Sequence, residues 1–373
     1  MRWEPTRRQM LAVLAAPVAA QRPAPAAPVA VARCAGYGAE LVAALERMFD
    51  QLGGLTRLVK GKTVAIKLNL TGSPSYRMAH RPLGSAQWVH PHVIGATVHL
   101  LGKAGARRIR LLESPWSTAE PLEQYMLQAN WDPAALAKAA AQVEFENTNY
   151  LGKAKQYARF PVPGGGYIYP AYDLHPAYRD CDVFVSLAKM KEHGTTGVTL
   201  SMKNCFGITP CTIYGDGAPE DGPGRFPVGG RGMFHYGRRQ PAKGSPPEKD
   251  PASPREGGYR VPRIVAELVA ARPVDLAIID GVESMAGGEG PWIRGVRPIN
   301  PGLLVAGTNA VCTDAVAVAL MGYDPTAQRG TPPFTNCDNT LRLGEALGIG
   351  TPDLGRIEVR GTRIAEAVCR FRT

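Results

Sequence analysis

Lys189, Lys191, His193, Lys203 and Asn204 crowd into CDVFVSLAKMKEHGTTGVTLSMKNCFG, residues 181–207, around small and hydroxyl-bearing turns. Each ammonium acts as a point charge, and several held together concentrate an anion and push one another's pKa toward neutrality. A lysine so depressed serves as a base or as an imine former, and a histidine titrates near neutral pH. The pattern therefore points to a cationic cleft for a carboxylate or phosphate. Lys191, His193 and Lys203 are the catalytic candidates within it, and Lys189 and Asn204 the ligand-binding ones.

Further polar residues stand where apolar runs end. Lys67 and Asn69 close the run Thr63–Leu70, Glu113 and Ser114 follow Arg108–Leu112, and Asp280 follows Asp275–Ile279. In an open parallel sheet, ligands bind beyond the carboxyl ends of the strands, so these groups are expected on one rim. Lys67, Asn69 and His90 join the ligand-binding set, with Gly288 offering close backbone approach. Asp280 and Asp314 join the catalytic set, as carboxylates that orient the lysines or share protons with them. A metal held by His193, Glu289 and Asp314 is the alternative use of that corner, although no second histidine stands at ligand spacing beside His193.

Other chemistries find no support. The seven cysteines include no C-x-x-C pair, so neither an iron-sulphur cluster nor a zinc ribbon is encoded. Cys205 and Cys211 lie close enough in sequence to bridge, the odd total leaves at least one thiol unpaired, and most read as buried and inert. The loop Ala286–Pro291 has neither Walker spacing nor G-x-G-x-x-G at a strand–helix junction, so no nucleotide-binding motif is present and the cofactor is open. The net charge is +11, yet the basic residues are dispersed and aromatics are only 7%, which argues against a nucleic-acid groove.

The elements that must position these residues alternate. Strands are expected at Val29–Cys34, Thr63–Leu70, Arg108–Leu112, Val143–Phe145, Val183–Leu187, Asp275–Ile279, Leu303–Ala306 and Ile357–Arg360. Amphipathic helices are expected at Ala39–Leu52, His92–Lys103 and Pro262–Ala271, and another is capped by Asn309 and stopped by Gly322. The expectation is an α/β fold: a mostly parallel sheet with helices on both faces. Gly164–Gly166 suit a β-hairpin. Residues 208–258, roughly two-fifths Gly and Pro, read as a long irregular insertion, either a lid over the site or disordered.

The N-terminus, with Arg7-Arg8, a short apolar run from Leu11 to Ala20 and small residues at its end, has the layout of a twin-arginine signal peptide over residues 1–20. The apolar run is too short to span a bilayer. Residues 21–28 read as a Pro/Ala linker and residues 29–373 as one α/β domain. This implies a periplasmic or otherwise exported protein that meets the twin-arginine machinery and is not integral to the membrane; the alternative is a cytoplasmic protein with a frayed N-terminus.

Three segments resemble the domain of unknown function 362 family: AIKLNL at Lys67, LAKMKEHGTTGVTLSMKNCFGI, and IIDGVESMAGGEGP followed by LLVAGTNAVCTDAVAVALMGYDP. The resemblance implies an α/β domain, sometimes fused to an iron-sulphur module, which the cysteines here do not encode. The functional expectation is an exported enzyme acting on a small, carboxylate-bearing metabolite or cofactor through a Lys/His/Asp cleft. The alternatives are a non-catalytic periplasmic binding protein or a redox accessory to an iron-sulphur partner.

Overall fold

A computed structural model describes residues 23–85 and 87–371. In chain order its strands are β1 Val29–Arg33, β2 Thr63–Lys67, β3 Arg108–Glu113, β4 Val143–Asn147, β5 Ala158–Pro161, β6 Ala171–Leu174, β7 Val183–His193, β8 Gly197–Thr199, β9 Leu276–Ala286, β10 Arg297–Ile299, β11 Leu303–Gly307 and β12 Val359–Gly361. Five of them, in spatial order β9-β7-β2-β3-β4, run parallel. β11 turns antiparallel beside β9, β1 lies antiparallel to β11, and β12 closes that edge parallel to β1. The sheet is thus mostly parallel. β5 and β6 form the expected hairpin around Gly164–Gly166.

The long helices are α1 Glu40–Gln51, α2 Pro91–Lys103, α3 Gly257–Ala271 and α4 Ala310–Leu320. Along a strand, side chains alternate between the two faces of the sheet. Val64, Ile66, Val183, Val185 and Leu187 pack toward α1 and α2, whereas Ala65, Phe184, Ala277 and Ile279 pack toward α3 and α4. Both faces are therefore dry, which is why the central strands read as nearly unbroken apolar runs. The stripe Leu41, Leu45, Met48 and Phe49 docks α1, each such side chain contributing about 1.5–3 kcal/mol by leaving water.

Helix starts follow local chemistry. His90 Nδ1 accepts from His92 N at 3.2 Å and Pro91 opens α2. Asn309 caps α4 by accepting from Cys312 N, as expected. α3 begins at Gly257, five residues before the expected Pro262. Proline has no N–H to return to Gly258 O, and that carbonyl accepts instead from Asp338 N at 2.9 Å.

Two expectations change. β7 continues through the lysines to His193 and doubles back on β8, so Lys189, Lys191 and His193 belong to a strand rather than to turns after one. Residues 208–258 carry short helices at Cys211–Tyr214 and Gly232–Tyr236, whose Ile213, Tyr214, Met233 and Phe234 are fully buried. The disordered alternative falls, and the insertion is part of the packed body. The described part of the Pro/Ala tract is tied down as well, Ala24 O accepting from Arg356 Nη2 at 2.6 Å. The expected signal peptide, residues 1–20, lies outside the described residues.

Candidate functional site

Strand parity divides the expected rim in two. Lys189 and Lys191 follow Val185 and Leu187 toward α1 and α2, while Lys67 follows Ala65 onto the opposite face. The charged groups do not share one site, and the division corrects the expectation of a single ring.

On the first face, Lys189 and Asp280 are fully buried neighbours in the β7–β9 register and pair at 2.9 Å. Tyr37 Oη accepts from Lys189 Nζ at 3.0 Å and donates to Asp280 at 3.1 Å, and the carboxylate also accepts from the backbone N–H of His90 and Val282. The His90 ring stacks on Tyr37 with centroids 3.6 Å apart, and burial pushes its pKa down to about 3. The Lys189 ammonium and the Asp280 carboxylate are thus answered from within the protein. Lys191 is also buried; its Nζ donates to Gln87 O at 2.7 Å, and burial lowers its pKa to about 7. The side-chain amide of Gln87 is buried with no partner among the described residues.

A cavity of about 510 Å³ opens beyond the carboxyl ends of β2 and β3, and takes in Lys67, Asn69, Glu113, His193, Lys203, Asn204, Arg231, His235 and Glu289. Of the expected residues it gathers Lys67, Asn69, His193, Lys203 and Asn204. Lys189, Lys191, His90, Asp280, Asp314 and Gly288 do not line it. Asp314 instead sits beneath the turn that carries Lys203: its carboxylate accepts from Ser201 N, Ser201 Oγ and Met202 N at 2.6–2.8 Å and anchors the helix Ser201–Asn204. Burial raises its pKa to about 7.

The cavity floor is an ion pair. Lys67 Nζ meets Glu113 Oε1 at 2.6 Å and donates to Asn204 Oδ1 at 3.1 Å, while Glu113 also accepts from Leu70 N and Ser114 N. Gly207 lies close beside it: a Cβ there would fall 2.9 Å from Lys67 Nζ and press on the pair. Asn204 Nδ2 reaches back to Lys67 O and Ser186 Oγ, which ties the turn to β2 and β7. Asn69 Oδ1 accepts from Lys189 N and thereby bridges the two faces.

Above the floor the cations are not neutralised. Lys203 Nζ lies 4.2 Å from the centroid of the Phe206 ring, its pKa lowered to about 7, first by burial and then by Arg231 and Lys67, against the opposing pull of Glu289. Arg231 donates to Thr209 O, Thr209 Oγ1 and Ser114 O, all uncharged acceptors that fix the guanidinium and leave its charge standing. His193 Nδ1 accepts from Thr195 N at 3.1 Å, which places the proton of the neutral ring on Nε2. Burial and the nearby Lys203 hold the pKa of His193 well below its ordinary value and lower that of His235 to about 4. The lining thus carries Lys67, Lys203 and Arg231 against Glu113 and Glu289, an excess of positive charge. Thr199 adds a buried hydroxyl without a partner among the described residues.

Aromatic rings form the mouth. Trp292 folds against Gly72 and Gly290, where added Cβ atoms would lie 2.4 and 2.1 Å from its ring, and Tyr76 packs beside it at 5.1 Å. Trp116 leaves β3 and covers Gly230 of the insertion. Arg231, His235, Trp116 and Trp292 carry no spacing signal in the sequence. Glu113 shows only as a polar strand end. The insertion contributes Cys211, Gly230, Arg231 and His235 to the cavity wall.

Among the described residues, no three His, Cys, Asp or Glu side chains stand together as a metal site. Glu289 accepts from Gly194 N beside His193, but Asp314 is held at the foot of its turn, so the His193–Glu289–Asp314 set does not assemble. All seven cysteines are free thiols, so Cys205 and Cys211 do not bridge. No described helix is long and apolar enough to cross a membrane.

The model of the family described as Domain of unknown function (DUF362) matches residues 64–319. A Synechocystis sp. protein named thylakoid-associated protein sll1697 is 24% identical over 300 residues, covering 80% of this chain and 75% of that protein. A solved structure of a Thermotoga maritima protein aligns at 12% identity with a TM-score of 0.36, over 69% of this chain. The chain spans about half, 52%, of that structure, and so loose a likeness bears on no functional point.

Proposed function

This chain belongs to the DUF362 family, and from that premise we propose that it is an enzyme acting on a small carboxylate-bearing molecule seated in the cavity beyond β2 and β3. The observation that carries the reading is the pair Lys203 and Arg231, two basic groups that make no carboxylate contact among the described residues. Arg231, always charged and held by its carbonyl bonds, anchors the carboxylate. Lys203, half neutral near pH 7, takes up a proton as the anion arrives and becomes a general acid. His193 presents Nε2–H to a substrate oxygen. Lys67 and Glu113 shape the floor, and Asp314 acts from a distance by positioning the Lys203 turn.

A second reading, binding without turnover, draws on His193. With Nδ1 occupied by Thr195 N and its pKa held low, this ring is a poor proton acceptor. Mass spectrometry of the small molecules released from purified wild type, Lys203→Met and Arg231→Gln, followed by NMR of the released molecule incubated with fresh protein, separates the readings. Loss of ligand from both variants with conversion by the wild type supports the enzyme. Loss without conversion supports the binder, and equal ligand content in all three removes the site. We also propose that residues 1–20 direct export; periplasmic fractionation of Arg7→Lys/Arg8→Lys tests it, and unchanged distribution refutes it.

A further inference from the structure

We propose that the molecule bound in this cavity is an aromatic carboxylate, its acid group at Lys203 and Arg231 and its ring lying against Tyr76, Trp116 and Trp292. The inference rests on the anion reading above and adds the substrate class. Three observations carry it. First, the cavity holds about 510 Å³, room for about seventeen waters at their liquid volume. A two-carbon acid would fill about a quarter of that space and leave the outer part wet. Second, the outer part is built of rings, with Phe206 deeper in and Leu70 the only aliphatic side chain among the lining residues. Flat partners stack on such faces, whereas alkyl chains are ordinarily met by aliphatic walls. Third, these rings stay open to solvent. Trp116 is 63% exposed and Tyr76 and Trp292 are each 38% exposed, although all three line one cavity. Large apolar surface grouped at a pocket mouth marks a contact site.

Titration calorimetry on the full chain with acetate, octanoate, 2-naphthoate and the neutral 2-naphthamide tests this. Binding of 2-naphthoate at least tenfold tighter than either acetate or octanoate is expected. Trp116→Ala and Trp292→Ala should each weaken 2-naphthoate about two- to tenfold while leaving acetate unchanged. Trp116→Leu keeps apolar area without a ring and controls for a folding defect. If octanoate binds as tightly as 2-naphthoate, or if Trp116→Leu and Trp292→Ala bind 2-naphthoate like the wild type, the aromatic assignment is overturned while the anion site stands. If 2-naphthamide binds as tightly as 2-naphthoate, the anion reading fails and the ring contacts remain. No binding by any of the four overturns both.

Discussion

Replacing Lys203 by Met should weaken the affinity of the cavity for carboxylates by about thirtyfold at pH 6 and remove the pH dependence of that affinity. The ammonium is half-buried, and its pKa of about 7 means that the empty cavity holds it half charged at neutral pH. A charge-assisted contact to a carboxylate in such a place contributes about 2 kcal/mol, near the middle of the range for bonds to charged groups. That corresponds to a rise of about 1.5 units in the lysine pKa on binding, to about 8.5. The sign follows from proton counts. Below pH 6 free and bound forms are both protonated and affinity is flat. Between pH 7 and 8.5 the bound form keeps a proton that the free form has lost, so affinity falls as pH rises, by about eightfold across that interval and by about thirtyfold from below pH 6 to above pH 9.5. At pH 8 binding should take up about two-thirds of a proton, and at pH 6 about a tenth. His193 and His235, both held low, stay neutral across this window. Lys191 titrates near 7 but lies outside the cavity. The assay is calorimetry of 2-naphthoate or acetate binding in two buffers of different ionisation enthalpy. Proton uptake at pH 8 that is absent, or that survives in Lys203→Met, would refute the reasoning.

Other outcomes concern the scaffold. Glu113→Ala leaves Lys67 buried without its partner and frees two backbone donors, and should lower stability by about 3–5 kcal/mol in urea titration. Asp280→Asn should be comparably destabilising while carboxylate affinity, measured in the folded fraction, stays within twofold. Lys189→Met/Asp280→Leu should regain most of that loss, because a buried pair replaced by apolar groups is often neutral. Asp314, raised from 3.8 to about 7, contributes stability that is complete below pH 4 and is lost as pH rises through 7, by up to about 4 kcal/mol. Urea midpoints measured from pH 4 to 8 should show that slope in the wild type and a flatter one in Asp314→Asn.

Much of the scaffold was legible in the chain. The apolar stripe of α1, the Asn309 cap and the run Thr63–Lys67 each declare themselves through local physics, and the elements they mark are present. The boundary errors have local causes too: β7 runs to His193 because a polar residue deep in a sheet looks, in sequence, like the residue after one. The site was half legible. Lys67 and Asn69 line the cavity from a strand end, and His193, Lys203 and Asn204 of the dense Lys/His stretch join them. Arg231 and His235 come from an insertion whose path is fixed by burial of Tyr214, Met233 and Phe234 rather than by any periodic pattern. Asp280 and Lys189 looked functional because charge in an apolar strand is unusual, yet they satisfy one another. Alternation alone, counted from Val183 and Val64, would have separated them from Lys67.

That separation makes registration of β7 a condition of viability. Insertion of a single residue between Leu187 and Lys189 would carry the Lys189 ammonium to the other side of the sheet, leave the Asp280 carboxylate sealed without its cation, and push an aliphatic side chain into its place. Length variation in the family should therefore collect in the loops that furnish Trp116, Arg231 and Trp292. There an added residue reshapes the mouth of the cavity and leaves the sheet's internal charge balance intact.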